Sequence, residues 1–175
     1  MMNDGYAHYW RFAAMVATAT VIMYGLMYLN TYEISHVRFS ETRLYMAILM
    51  GATLSVVMLL FMLHMYENRL INTVLIIGSS ITFLIALWLV RSQKTVEDDL
   101  YMKAMIPHHS IALLTSERAG LEDVRVRALA ERIIRNQRKE IGEMEWLIKD
   151  IDSNGVAATQ AKANSRPLPN FSGEL

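Results

Sequence analysis

The sequence predicts an all-α membrane protein in which three transmembrane helices precede a soluble helical hairpin. Two observations carry this. Three runs free of charged residues, Phe12 to Leu29, Leu44 to Tyr66 and Leu70 to Val90, are each near the roughly 20 residues that cross a bilayer. Beyond Val90 the chain turns polar, and two segments with helical periodicity follow, each with its own start and stop signals. The expected organisation is a membrane domain over 1–91, a hairpin domain over 95–151 and a disordered tail over 152–175.

The first run, 12–29, is longer than an apolar signal core. It is followed by Asn30-Thr31-Tyr32-Glu33 instead of a small-x-small cleavage site, so it is expected to persist as a helix. Tyr9, Trp10 and Arg11 before it, and Trp88 and Arg91 at the close of the third run, suit the membrane interface. Only Glu67-Asn68-Arg69 separates the second run, 44–66, from the third, 70–90, which predicts a tight antiparallel hairpin. Gly51 with Ser55, and Gly78-Ser79-Ser80, offer small-residue packing surfaces. The many methionines of the spans read as ordinary apolar filler, since those of the second run form no single stripe.

Thr95-Val-Glu-Asp98 is a helix start, and Gly120 provides a stop after about Ala119. A second soluble helix is expected from near Asp123 to about Ile151. Pro107 leaves the carbonyl of Lys103 without its usual partner and is expected to bend the first helix. The Asn-Gly, Ser-Arg-Pro-Leu-Pro and Ser-Gly elements after Asp152 predict disorder.

Lys+Arg and Asp+Glu both number 17 in the 175 residues. Over 95–151, 11 acids face 9 bases, a net charge of −2, which argues against nucleic acid as a partner. The absence of cysteine excludes disulfides, zinc thiolates and a cysteine nucleophile. There is no Gly-rich phosphate loop or nucleophile elbow. No catalysis is expected.

The chemistry concentrates in Met102-Lys-Ala-Met105-Ile-Pro107-His108-His109, two thioethers and two imidazoles within about two helical turns. Soft sulfur with borderline nitrogen suits copper, Cu(I) above all. On a helical wheel Asp98, Met102, Met105 and His109 share a face, continued by Ala112 and Ser116, while His108 points about 100° away from His109. The second helix has an apolar stripe of Val126, Leu129, Ile133, Met144, Leu147 and Ile151, with Glu140 in its centre and Gln137 at its margin. Folding the helices together near residue 121 brings these polar groups to one height.

These residues resemble a known family. Asp99-x-x-Met102-x-x-Met105-Ile-Pro-His-His109, with Gln137-x-x-Glu140-Ile-x-x-Met144 downstream, is similar to the domain of unknown function 305, over about 95–151. The resemblance implies a ferritin-like helical bundle, usually periplasmic or secreted, that binds copper through methionine and histidine. Carried over by position, the implied ligands are Met102, Met105, His108, His109, Gln137, Glu140 and Met144. One departure is that Ala112-Leu-Leu-Thr115 stands where many members place a further methionine. No Glu-x-x-His pair of the di-iron kind occurs.

The expected function is therefore membrane-anchored copper binding for tolerance, buffering or delivery. The alternatives are an accessory or assembly subunit docking on a membrane-complex partner, and a copper transporter using the spans. One hairpin cannot cover both its apolar stripes, so a homodimer or higher oligomer that completes a four-helix bundle is expected. The resemblance places the soluble domain in the periplasm, on the bacterial inner membrane. The positive-inside rule mildly favours the other side, since Arg38, Arg43, Arg91 and Lys94 outnumber Arg11 and Arg69.

Overall fold

A computed structural model describes residues 4–173; residues 1–3 of the expected membrane domain and 174–175 of the expected tail lie outside it. The described chain is all-helical: α1 Asp4–Leu26, α2 Glu41–Phe61, α3 Arg69–Ser92, α4 Asp98–Arg118, α5 Val124–Asn154 and α6 Gln160–Ser165, with short 3-10 turns at Ile34–His36 and Leu63–Met65. It forms two units. One holds the chain up to Leu29 together with Glu41–Thr95, and the other holds Asn30–Ser40 together with the chain from Val96 onward.

In the first unit, α2 and α3 are long and apolar enough to cross a membrane, and among the described residues they are the two helices that are. The first expected span forms a helix but a less apolar one. It ends at Leu26, short of Leu29, and Arg11, Thr18, Thr20, Tyr24 and Gly25 dilute its apolar content. The second expected span also ends early, at Phe61. The chain then turns so that Tyr66, 5% exposed, packs with Phe12 and Leu59. Asn72 fixes that turn, donating from Nδ2 to the Tyr66 carbonyl (2.8 Å) and accepting from the Tyr9 hydroxyl (2.8 Å). Asn68 caps α3 by accepting from the amides of Leu70 and Ile71.

Gly51 and Ser55 lie at helix contacts, and of the second patch Ser79 does, while Gly78 and Ser80 are exposed. Ser79 donates to Ser55 (3.1 Å) between α3 and α2. A Cβ at Gly51 would collide with the Thr20 side chain of α1. α3 closes at Gln93, which adopts the left-handed φ of 52° and donates from its side chain to the Val90 carbonyl (2.7 Å).

In the second unit, α4 and α5 pair antiparallel, as the cross-links His109–Glu140 and Glu117–Arg138 require. α4 begins at Asp98 after Glu97, whose side chain makes no cap hydrogen bond, and not at the expected Thr95, whose hydroxyl meets that of Tyr45 (2.9 Å). At the start of α5 the Asp123 carboxylate accepts from the Arg125 amide (2.8 Å). The guanidinium of Arg125 and that amide hold the Asp123 carboxyl below its usual range. α4 continues through Pro107 to Arg118 as one helix, and the proline ring is fully buried. The core is Met102, Ile106 and Leu113 of α4 against Ile141 and Met144 of α5, with Met105, Ile134, Leu147, Ile148 and Ile151 packed around it.

The stripe on α5 is rotated from the expected one. Ala130, Ile134 and Ile141 lie on the inner face, whereas Val126 and Leu129 remain exposed. The loop 30–40 packs Tyr32 onto the same core as Ile134. Ser110, with 0% exposure, anchors this loop. It accepts from the Tyr32 amide (2.6 Å) and lies 2.9 Å from Nδ1 of His36.

The expected disordered tail is instead structured through residue 173. α5 runs to Asn154 and ends at Gly155, whose φ is 72°. α6 then forms behind Thr159, whose hydroxyl accepts from the Lys162 amide. Arg166 joins the tail to α5, donating to Asp150 (2.7 Å) and to the Gly155 carbonyl (3.1 Å). Phe171 lies so close over Gly142 that a Cβ there would meet its ring at 2.9 Å.

Candidate metal centre

The loop 30–40 covers one side of the hairpin and the tail covers the back of α5. The remaining face carries the expected donors. His109 Nδ1 lies 3.3 Å from Glu140 Oε2, with the imidazole side chain 13% exposed and the carboxylate 48% exposed. The two atoms are close but not aligned for a hydrogen bond, so Nδ1 is buried without a hydrogen-bond partner. Gln137 Oε1 is buried and likewise without one. It stands one turn before Glu140, on the same side of α5.

Met102 and Met144 are 6% and 9% exposed and share one buried cluster, against which Met105 packs. His108 points outward. It is exposed, and its ring centroid lies 6.2 Å from that of His109. Six of the seven expected ligands thus face the hairpin interior or its open edge, and His108 is the exception, as expected from the angle between adjacent helical residues. Among the described residues no three His, Cys, Asp or Glu side chains converge as a metal-holding group. Any further donors to His109 and Glu140 would have to be thioethers or an amide.

The electrostatics favour a neutral imidazole. Burial lowers the His109 pKa below its ordinary 6.5, and the neighbouring His108 adds to this, against a smaller opposing pull from Glu140. A neutral ring is the ligand form of histidine. Next to this centre, Glu117 and Arg138 form an ion pair. The hydrogen bond to Glu117 and burial hold the Tyr32 hydroxyl above its usual pKa.

With this geometry in view, the chain compares with known proteins as follows. Residues 92–170 match the family model described as Domain of unknown function (DUF305). The matched region begins at the end of α3, contains the whole hairpin and runs past Ile151 through α6, so it takes in the tail as far as residue 170. It does not include the loop 30–40. The chain is also similar to "Uncharacterized protein L153" of Acanthamoeba polyphaga mimivirus, at 29% identity over 147 residues, covering 78% of this chain and 93% of that protein. No solved structure matches the chain.

Sequence reasoning missed Ser110, the anchor of the loop. A signal was present. Ser110 follows Ile106 by four residues and precedes Leu113 by three, which puts a hydroxyl on the core face where an apolar side chain is the rule.

Proposed function

We propose that the DUF305 region binds a soft metal ion, copper as Cu(I), and that the chain serves copper tolerance, buffering or delivery at a membrane. The observation that carries this reading is the pair of buried polar atoms left without hydrogen bonds, His109 Nδ1 and Gln137 Oε1, on the same two helices whose shared core buries the thioethers of Met102 and Met144. Leaving a buried polar atom unpaired costs about 1–3 kcal/mol. A bound cation would remove that cost at both atoms. Imidazole nitrogen and thioether sulfur together select a soft ion over magnesium or calcium. His109, Met105, Met102 and Met144 would hold the ion, with Gln137 and Glu140 beside it. His108, exposed at the edge, suits its entry or release. The role is binding and not catalysis.

The test is metal retention by the whole chain in mild detergent. Loaded with Ag(I) as a redox-inert stand-in and then desalted, the wild-type protein should keep silver, and a variant with Met102, Met105 and Met144 changed to leucine should keep much less. A folded wild-type chain that keeps none would overturn the reading and leave the His109–Glu140 pair as a structural contact of an accessory subunit.

The same face supports association. Val126 and Leu129 are 45% and 47% exposed, on the side of α5 that carries Ile133 and Glu140. A second hairpin laid on this face completes a ferritin-like four-helix bundle and brings two sets of donors into one core. Metal binding and dimerisation should then strengthen each other. Mass measurement in detergent should give a dimer whose share rises with Ag(I), and a strict monomer in both conditions would exclude the bundle. α1 as a third span, and a periplasmic hairpin on a bacterial inner membrane, complete the proposal. They rest on the first apolar run and on the family resemblance.

A further inference from the structure

The loop 30–40 exposes Glu33, Ser35 and Arg38, yet it also turns apolar side chains outward while burying polar ones. In water a loop turns its polar side chains to solvent and buries its apolar ones. Here His36 and Ser40 are buried, at 8% and 1% exposure, while Ile34, Val37 and Phe39 stand at 91%, 44% and 54%. The loop is held firmly. The Tyr32 amide and His36 Nδ1 both engage Ser110, the Tyr32 ring packs on the core, and Arg38 reaches Glu145 of α5 at 3.3 Å. The loop therefore has no means of exchanging its faces without giving up these contacts.

What the outward face meets follows from chain continuity. Phe39 precedes Glu41, the first residue of α2, by two positions, and α2 is long and apolar enough to cross a membrane. Two residues span at most about 7 Å. Glu41, Thr42 and Arg43 form the polar first turn of α2 before its apolar run begins at Leu44, so Phe39 stands at the interfacial layer beside the end of that run. Ile34 and Val37 belong to the same tied-down turn.

We infer that Ile34, Val37 and Phe39 insert into the interfacial region of the lipid bilayer, making the loop 30–40 a membrane-docking element. This does not rest on the metal reading. Its consequence for the hairpin is direct, because Ser110 follows His109 on α4: the turn of helix that carries His109 is the turn to which the docked loop is bolted.

The absence of cysteine from the sequence makes the test clean. The full chain carrying Ile34→Cys, and separately Phe39→Cys, is labelled with an environment-sensitive nitrobenzoxadiazole dye and reconstituted in phosphatidylcholine vesicles. Both labels should emit as in an apolar medium and be quenched by spin-labelled lipid, at a depth of about 5–10 Å beneath the headgroups. A label at the exposed Gln160→Cys should be quenched by aqueous iodide instead. Water-like, iodide-quenched emission at either loop position would overturn the inference. So would a dry label that spin-labelled lipid does not quench, which would place the face against a second copy or another protein.

Discussion

Replacing His109 with alanine should weaken Cu(I) binding by roughly tenfold to a hundredfold, the scale on which disturbing a metal's ligand surroundings acts, while leaving the chain folded. His109 is the side chain on which the centre's geometry converges. It reaches across from α4 to α5, at 3.3 Å from Glu140, and its Nδ1 is buried without a hydrogen bond. Met105→Leu, which keeps volume and removes sulfur, should lower affinity while changing stability little. Competition titration against a Cu(I) chelator measures both. Equal affinity in wild type and His109→Ala would remove His109 from the site.

The pH dependence has a defined sign. The His109 pKa is lowered in the folded chain from 6.5, so between that lowered value and 6.5 the unfolded state holds the proton that the folded state does not. The stability linked to His109 is thus fully present above 6.5 and declines as pH falls below it. Cu(I) affinity should follow the same direction, because protons compete for the ring only at pH below the lowered value. In His109→Ala this part of the pH dependence should vanish.

Ile106→Ala should destabilise the second unit by about 2–5 kcal/mol, the range for truncating a buried aliphatic side chain. Ile106 is completely buried between Met102 and Leu113 and faces Ile141 and Met144, and it has the tail and the loop 30–40 closing two sides of the same helix pair. The cavity has little room to collapse. Hydrogen exchange at the α4 and α5 amides should accelerate together, whereas Leu129→Ala, on the exposed face, should change them little. Comparable acceleration in both variants would mean that the core lies elsewhere.

The parts of this fold that the sequence disclosed are those written in local pattern. Asp123 as a cap, the stop after Arg118, the apolar runs of α2 and α3 and the facing of His109 and Glu140 all follow from periodicity and from side chains within a few residues of one another. What escaped is long-range. The loop 30–40 is separated from α4 by α2 and α3, and no periodicity links His36 to Ser110. It shares the core with an α5 face that turns Ile134 and Ile141 inward and leaves Val126 and Leu129 out. The tail was misjudged because glycine, proline and serine signal turns equally well in a disordered segment and in one folded back. Only Arg166 on Asp150 and Phe171 on Gly142 distinguish them. Pro107 was expected to disturb α4, but its ring is accommodated in the core of a continuous helix.

The most direct measurement of the central claim is X-ray absorption at the copper edge on the full chain loaded with Cu(I) in detergent. The proposal predicts a mixed shell of sulfur and nitrogen, with sulfur reduced in Met105→Leu and nitrogen reduced in His109→Ala. A shell of nitrogen and oxygen alone, unchanged by either substitution, would contradict it.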